Sequence, residues 1–222
     1  MSLQANISPK PISALKSTIL SPSLTSHFSV KIVPPANEGF TKFIKSEGRF
    51  SSFNLSKLDE LTILCSDATL PGSSLFTHEV TNDYPGVTEK MAYRRQYDDY
   101  SAFNFYVDLN YEIVEFFESW LSFIVNENDR NKYENYSASY RMKFREDYTG
   151  SIAITKFERN IGASTNPQDT TPTLSGPRMN YHFIQAFPLS IDPMPVSYEN
   201  TNVLKYNVNF TYLRYVRERL TK

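Results

Sequence analysis

Apolar and polar residues alternate in several short segments of this chain, which is the pattern of half-buried β-strands. In the first such segment, Phe28, Val30 and Ile32 are separated by polar residues. In the last, residues 204–212, every second side chain is aliphatic or aromatic, and the alternation slips near Leu213 as it would at a bulge or strand end. Further strands are predicted at 61–65, 75–80, 87–95, 103–107, 140–145, 151–157 and 180–187.

One segment has a helical period instead. Its large apolar residues recur every three or four positions between Ile113 and Ile124, with Glu112 and Glu115 on the opposite side. We predict one amphipathic helix here and no other. Because many strands are joined by turns rather than by crossover helices, the chain is predicted to be mainly β, an antiparallel two-sheet sandwich or barrel with one packed α-helix.

Proline, serine and glycine divide the chain into an arm and a folded part. Residues 1–26 carry three prolines among many serines and threonines, which predicts an extended arm. Residues 27–222 are predicted to form a single domain with long loops at 34–58 and 158–178.

The loop predicted at 34–58 is unusual because it carries five large apolar side chains. A solvated loop should not expose such residues, so either they pack on their own domain or another chain buries them. We take them as candidate intersubunit contacts. They are Phe40, Phe43, Ile44, Phe50 and Phe53.

Charge balance narrows the range of partners. The 222 residues include 23 Lys and Arg against 24 Asp and Glu, a formal net charge of −1. This balance argues against a protein that binds nucleic acid or an anionic membrane by bulk attraction. No apolar run approaches the roughly 18 residues that a membrane span needs, so we expect no membrane partner. Aromatic residues are abundant, at 14%.

Residues suited to catalysis or metal binding are few. Cys65 is the single cysteine and lies in an apolar segment, which predicts a buried core residue. His78 and His182 have no neighbouring ligand at the spacing of a metal site. The seven glycines do not cluster into a phosphate-binding loop. We therefore predict no enzyme activity, no catalytic or metal-binding residues and no cofactor.

The row Arg141, Lys143 and Arg145 is the strongest hint of nucleic-acid binding, since Tyr140 and Phe144 could stack on bases. Alternation along a strand places the basic and aromatic side chains on opposite faces, so they could not act together. The row is interpreted instead as a charged outer or intersubunit face.

Four segments, taken in order, carry a family resemblance. They are residues 65–72 with the turn Leu70-Pro71-Gly72, the strand at 103–108 with the helical motif Phe116-Phe117-Glu118-Ser119-Trp120, residues 186–191, and the closing strand at 203–216. Together they resemble the tail tube proteins of contractile-tailed bacteriophages, a family that includes baseplate tube-initiator rings.

The resemblance implies a structural subunit of the inner tube of a contractile tail. Six copies would form a ring, sheets of neighbouring subunits would join into a barrel, and stacked rings would conduct the genome during ejection. Expected partners are further copies, sheath, and baseplate or neck proteins, in a virion assembled in the host cytoplasm. Both the repeating tube, which we favour slightly, and a specialised baseplate or neck ring remain open.

A channel that passes DNA should not bind it, because each neutralised phosphate adds affinity. We therefore expect a lumen lined by neutral or acidic side chains. Asn207, Asn209 and Thr211, on the polar face of the last strand, are candidate lumen-facing residues, although Lys205 lies on the same face. The basic row at 141–145 should point away from the channel.

Two other functions remain open from the sequence. One is a tube from a phage-like contractile machine that delivers effectors, which would share the fold. The other is a monomeric β-sandwich module that binds carbohydrate or protein through its tyrosines. Electron microscopy separates the latter from a tube protein, since rings, tubes and monomers look different.

Overall fold

The computed structural model describes residues 23–46, 55–81, 86–125, 142–158, 178–199 and 202–220. Most of the predicted arm and of the loop at 158–178 lies outside them. The described elements confirm a mainly β, antiparallel chain. They are β1 (Phe28–Val33), α1 (Glu38–Ser46), α2 (Leu55–Ile63), β2 (Cys65–Ala68), β3 (Ser73–Val80), β4 (Glu89–Tyr97), β5 (Ser101–Tyr106), α3 (Glu112–Val125), α4 (Arg145–Tyr148), β6 (Gly150–Phe157), β7 (Arg178–Ile191), β8 (Lys205–Thr211) and β9 (Arg214–Leu220).

Strand β7 is shared by two sheets. Its first half lies between β6 and β9, and β6 also pairs with β1, which gives sheet 1 the order β1-β6-β7-β9. Its second half pairs with β8, followed by β5 and β2, which gives sheet 2 the order β7-β8-β5-β2. The change of sheet occurs at Gln185, whose φ is 53°. The predicted slip near Leu213 is the matching break between β8 and β9.

Aromatic side chains connect the two sheets and α3 in one core. Phe103 of sheet 2 meets Phe183 of sheet 1 at 6.3 Å between ring centroids. From the helix, Phe117 lies 5.6 Å from Phe210. The Trp120 indole N–H donates to the carbonyl of Tyr148 at 2.9 Å, which satisfies the polar group of this buried ring.

The prediction of a single helix is wrong, because much of the loop predicted at 34–58 is helical. Asn37 accepts a hydrogen bond from the Gly39 amide at 2.8 Å and so begins α1. Phe40 and Ile44 of α1 are buried. In α2 the buried apolar residues are Leu58 and Leu61, three positions apart as in an amphipathic helix. Short apolar runs occur in both helices and strands, and in this chain tertiary packing selects the helix.

Two strand predictions are also wrong. The run at 61–65 is the end of α2, and the strand begins only at Cys65. The alternation at 140–145 is not a strand in its described part, because residues 142–144 are irregular and Arg145 begins α4. Strand β6 therefore pairs with β1 and β7, which are distant in sequence, rather than with the preceding segment.

Candidate assembly surfaces

Strands β3 and β4 form a two-stranded ribbon of their own. The hairpin predicted around residues 75–95 is thereby confirmed, although its turn at 82–85 lies outside the described residues. Nearly every residue of both strands is exposed; only Val80 and Tyr97 are half-buried. An isolated two-stranded hairpin is at best marginally stable in water, so this ribbon needs a partner surface.

The two faces of this ribbon differ in polarity. On one face, Phe76 and Tyr93 stack at 6.2 Å, and Met91 lies next to them. Tyr93 is 68% exposed and Met91 is 55% exposed. The opposite face carries the ion pair between Lys90 and Glu79 at 2.8 Å. We call the side with Phe76, Met91 and Tyr93 the apolar hairpin face.

An arginine fixes the base of the ribbon to sheet 1. Arg95 of β4 donates to Ser73 Oγ from Nε at 3.1 Å and from Nη2 at 2.9 Å. Its guanidinium lies 5.0 Å from the centroid of Tyr97 and 5.6 Å from that of Tyr215 on β9. These contacts involve the base of the ribbon and do not cover the apolar hairpin face, where Tyr93 and Met91 stay exposed.

The outer face of sheet 2 is a network of amides. Asn207, Asn209 and Thr211 are half-buried and alternate with buried core residues of β8, as predicted. Nδ2 of Asn209 donates to Asp192 Oδ1 at 3.1 Å, and Asn207 also donates to Asp192. Thr211 donates to the Asp99 carbonyl at 2.8 Å. This surface is polar with one carboxylate, and its amides are fixed by hydrogen bonds.

The candidate intersubunit residues are placed differently from the prediction. Phe40 and Ile44 have no exposed surface and belong to the core of their own chain, so they are not available to a neighbour. Phe43 is half-buried and packs 5.6 Å from Phe123. Of the two alternatives, packing on their own domain is correct for these residues. Phe50 and Phe53 lie outside the described residues.

The residues that carried the resemblance have structural roles. Phe116, Phe117 and Trp120 are fully buried, whereas Glu118 of the same motif is exposed. Leu70 and Pro71 lie in the connection 69–72 between β2 and β3. At its end the Gly72 amide donates to Asp98 Oδ2 at 2.6 Å, where a Cβ would lie only 2.4 Å from that oxygen.

The structure places most of the residues considered for chemistry. Cys65 is half-buried against the core rather than part of it, so the prediction of a buried core residue is wrong. Partial burial raises the pKa of its thiol to about 12, which keeps it protonated at neutral pH. Among the described residues no three His, Cys, Asp or Glu side chains are grouped as metal ligands. No helix in the same ranges is long and apolar enough to cross a membrane. Of the basic row, Lys143 lies 4.3 Å over the Phe123 ring, and Arg141 is outside the described residues.

A cavity of about 620 Å³ lies at one end of sheet 1, and no pattern in the sequence indicates it. Leu24 and Phe28 line it, and the chain there is held by Glu158, which accepts from Ser23 Oγ and from the Leu24 amide. Hydrogen bonding to Lys156 lowers the pKa of Glu158 to about 2. The Glu158 carboxylate is therefore ionised at neutral pH where it accepts hydrogen bonds from Ser23 and Leu24.

Comparisons with known protein families and solved structures give the family of this chain. Residues 23–218 match the phage tail tube protein family. No curated protein sequence matches the chain. The structure resembles a chain of the anti-feeding prophage baseplate, with a TM-score of 0.52, 9% identity, and coverage of 89% of this chain and 96% of that chain.

A second similar structure is a chain of the sheath-tube complex of an extracellular contractile injection system, PVC, in the extended state. Its TM-score is 0.49 at 13% identity, covering 95% of this chain and 99% of that chain. The family match spans most of the described fold, including both sheets and α3. This chain belongs to the phage tail tube protein family.

Proposed function

We propose that this family member forms hexameric rings that stack into the inner tube of a contractile tail and conduct double-stranded DNA during ejection. The observation that carries the proposal is the apolar hairpin face, which no described residue of the same chain covers. The role is structural and non-enzymatic. Its partners are further copies, sheath, and baseplate or neck proteins, in a virion assembled in the host cytoplasm.

Open sheet edges support assembly with further copies. Within the described residues, β2 pairs only with β5, and the part of β7 beyond Ala186 pairs only with β8. Both edges of sheet 2 are therefore open to hydrogen bonding. Joining such edges between subunits into a barrel removes sites of uncontrolled strand pairing.

The amide face of sheet 2 suits the wall of a channel for DNA. A continuous barrel built from sheet 2 has one face on the core, so its other face, with Asn207 and Asn209, lines the lumen. These amides already donate to Asp192, and the nearby carboxylate repels phosphate. These amides neutralise no phosphates and so release no counterions, which lets DNA slide. Lys205, the exposed basic residue of the same face, lies at the first position of β8.

Negative-stain electron microscopy of the purified chain tests the proposal. Rings or tubes are expected for the wild-type protein. The triple variant Phe76→Ser, Met91→Ser, Tyr93→Ser should stay folded by circular dichroism but fail to assemble, because it removes the apolar hairpin face. The matched control Thr77→Ser, Ala92→Ser changes the opposite face and should assemble normally. A wild-type protein that remains monomeric at high concentration contradicts the proposal and favours the binding module.

The same images distinguish a repeating tube subunit from a specialised baseplate or neck ring. Tubes of many stacked rings from the purified chain indicate the repeating tube. Single rings that never stack indicate a specialised baseplate or neck ring, because such a ring must meet a non-identical neighbour on at least one end.

A further inference from the structure

Arginine side chains surround a cavity at the free edge of β9. Arg95, Arg214 and Arg217 line an opening of about 510 Å³ together with tyrosine rings. Arg95 is held by neutral groups, the hydroxyls of Ser73 and Tyr215. In the part of the chain that the structure describes, no carboxylate lies within ion-pair distance of Arg214 or Arg217. We call this opening the arginine cavity.

The chemistry of the arginine cavity selects carboxylates. Three guanidinium groups around one opening repel one another, and a carboxylate relieves that repulsion while it accepts paired N–H bonds. The tyrosine rings and Val216 add apolar walls. A surface that combines acidic groups with one apolar side chain would therefore fit here.

Helix α2 presents such a surface. Asp59 and Glu60 are exposed, and Ile63, one turn further on, is 81% exposed. The nearby cation Lys57 is already engaged, since its Nζ lies 3.0 Å from Glu112 Oε2. The exposed side of α2 therefore keeps negative charge beside an apolar side chain. We call Asp59, Glu60 and Ile63 the acidic helix face.

The two surfaces lie at opposite edges of sheet 1. Strand β9 forms one edge, and α2 packs against β1, which forms the other. Two strands, β6 and β7, separate β1 from β9, so the edges are about 14 Å apart at the usual strand spacing. Among the described residues no ion pair joins the two surfaces within one chain, and a head-to-tail contact would bring one against the other in a neighbouring copy. Repeated contacts of this heterologous kind close into a ring.

We propose that the arginine cavity of one subunit receives the acidic helix face of the next subunit in the ring. This inference rests on the ring proposed above and names the charges by which one copy recognises the next. The net charge of −1 is consistent with it, because balanced charges are here separated into complementary patches.

Charge reversal and exchange test the pairing. Arg214→Glu with Arg217→Glu, or Asp59→Arg with Glu60→Arg, should each lower the ring fraction at least about tenfold, as expected for a close intersubunit charge pair. All four changes together should restore rings. The matched controls Lys42→Glu and Glu38→Arg change exposed charges outside both surfaces and should assemble like the wild type. Ring fraction is counted by electron microscopy, and folding is checked by thermal melting.

Disulfide trapping gives a second measurement. In a Cys65→Ser background, Glu60→Cys with Arg217→Cys should produce disulfide-linked ladders under oxidation, because the two positions meet only between copies. Three results would overturn the pairing: charge-reversal variants that form rings as the wild type does, a folded fourfold variant that does not assemble, or rings of the double-cysteine variant that do not cross-link. None of these results would contradict the proposed ring itself. A wild-type protein that never forms rings contradicts the proposed function instead.

Discussion

Tyr206 carries a buried hydroxyl without a hydrogen-bond partner among the described residues. Burial raises the pKa of this phenol, and the nearby Glu118 carboxylate raises it further. The unfolded chain ionises its tyrosines near about pH 10, whereas folded Tyr206 keeps its proton to higher pH. Above about pH 10 the folded state therefore binds more protons than the unfolded state, so the free energy of unfolding falls as pH rises through that window.

Replacing Tyr206 by Phe should therefore stabilise the subunit by about 1 kcal/mol at neutral pH, because an unsatisfied hydroxyl is removed from the core. It should also reduce the loss of stability above about pH 10. Equilibrium urea unfolding at neutral pH and above about pH 10 measures the two effects. The exposed Tyr198→Phe is the control and should change neither. A Tyr206→Phe variant that is less stable than wild type would show that the hydroxyl has a partner.

Gly150 is required because the backbone of β1 approaches it closely. A Cβ at this position would lie 2.3 Å from the Val33 carbonyl oxygen and 3.2 Å from Cη2 of Trp120. Gly150→Ala should lower the free energy of unfolding by about 1–3 kcal/mol, since backbone atoms cannot move aside as a flexible side chain does. Gly39→Ala is the control, because its Cβ meets only the Asn37 side chain at 3.1 Å. Equal unfolding midpoints for the two variants would contradict the close approach.

Among the elements, α1 shows how a helix escaped prediction. Asn37 is a good N-cap, and Phe40, Phe43 and Ile44 have the spacing of one helical face. Both signals are present in the sequence, but the glycines and serines around them favoured a loop. The apolar side chains of the loop were recognised as too many for solvent, and the structure buries Phe40 and Ile44 and half-buries Phe43. That observation does not say which chain buries them.

Phe40→Ala tests whether α1 is part of the core. The Phe40 ring lies 5.1 Å from Phe123 and 5.6 Å from Trp120, both on α3. Losing it should cost about 3–5 kcal/mol, the usual range for a buried Phe truncated to Ala. Lys42→Ala, on the exposed side of α1, should cost under about 0.5 kcal/mol. Thermal or urea unfolding compares them, and similar midpoints would mean that α1 is not held by the core.

The strands were predicted best where pairing is local. The β3–β4 hairpin pairs two segments that follow one another along the chain, so alternation and the turn residues of the sequence suffice to predict it. Sheet 1 depends instead on β6 pairing with β1 and β7, far apart in sequence. Alternation identifies a strand but not its partner, so it did not predict that β6 pairs with β1 and β7. The same limit concealed the sharing of β7 between two sheets.

At the scale of the whole assembly, the proposed neutral lumen can be tested by adding positive charge at Asn207 and Asn209. Tubes carrying Asn207→Lys and Asn209→Lys should retain short duplex DNA that wild-type tubes release, because lysines on the channel wall neutralise phosphates. Retention should fall steeply as salt rises. The control is Ser151→Lys, which adds charge at an exposed position of sheet 1. Co-sedimentation of tubes with DNA measures retention, and unchanged release by the lysine tubes would place Asn207 and Asn209 outside the lumen.

Local patterns in the sequence alone determined the mainly β class, the alternation of β8 and the buried stripe of α3. These follow from side-chain periodicity, which depends on neighbours a few residues away. Only the tertiary structure decided that Phe40 and Ile44 lie in the core while Phe76, Met91 and Tyr93 remain exposed. It also placed arginines and carboxylates at opposite edges of sheet 1. The physical reason is that burial depends on contacts between segments distant along the chain, which no local pattern encodes.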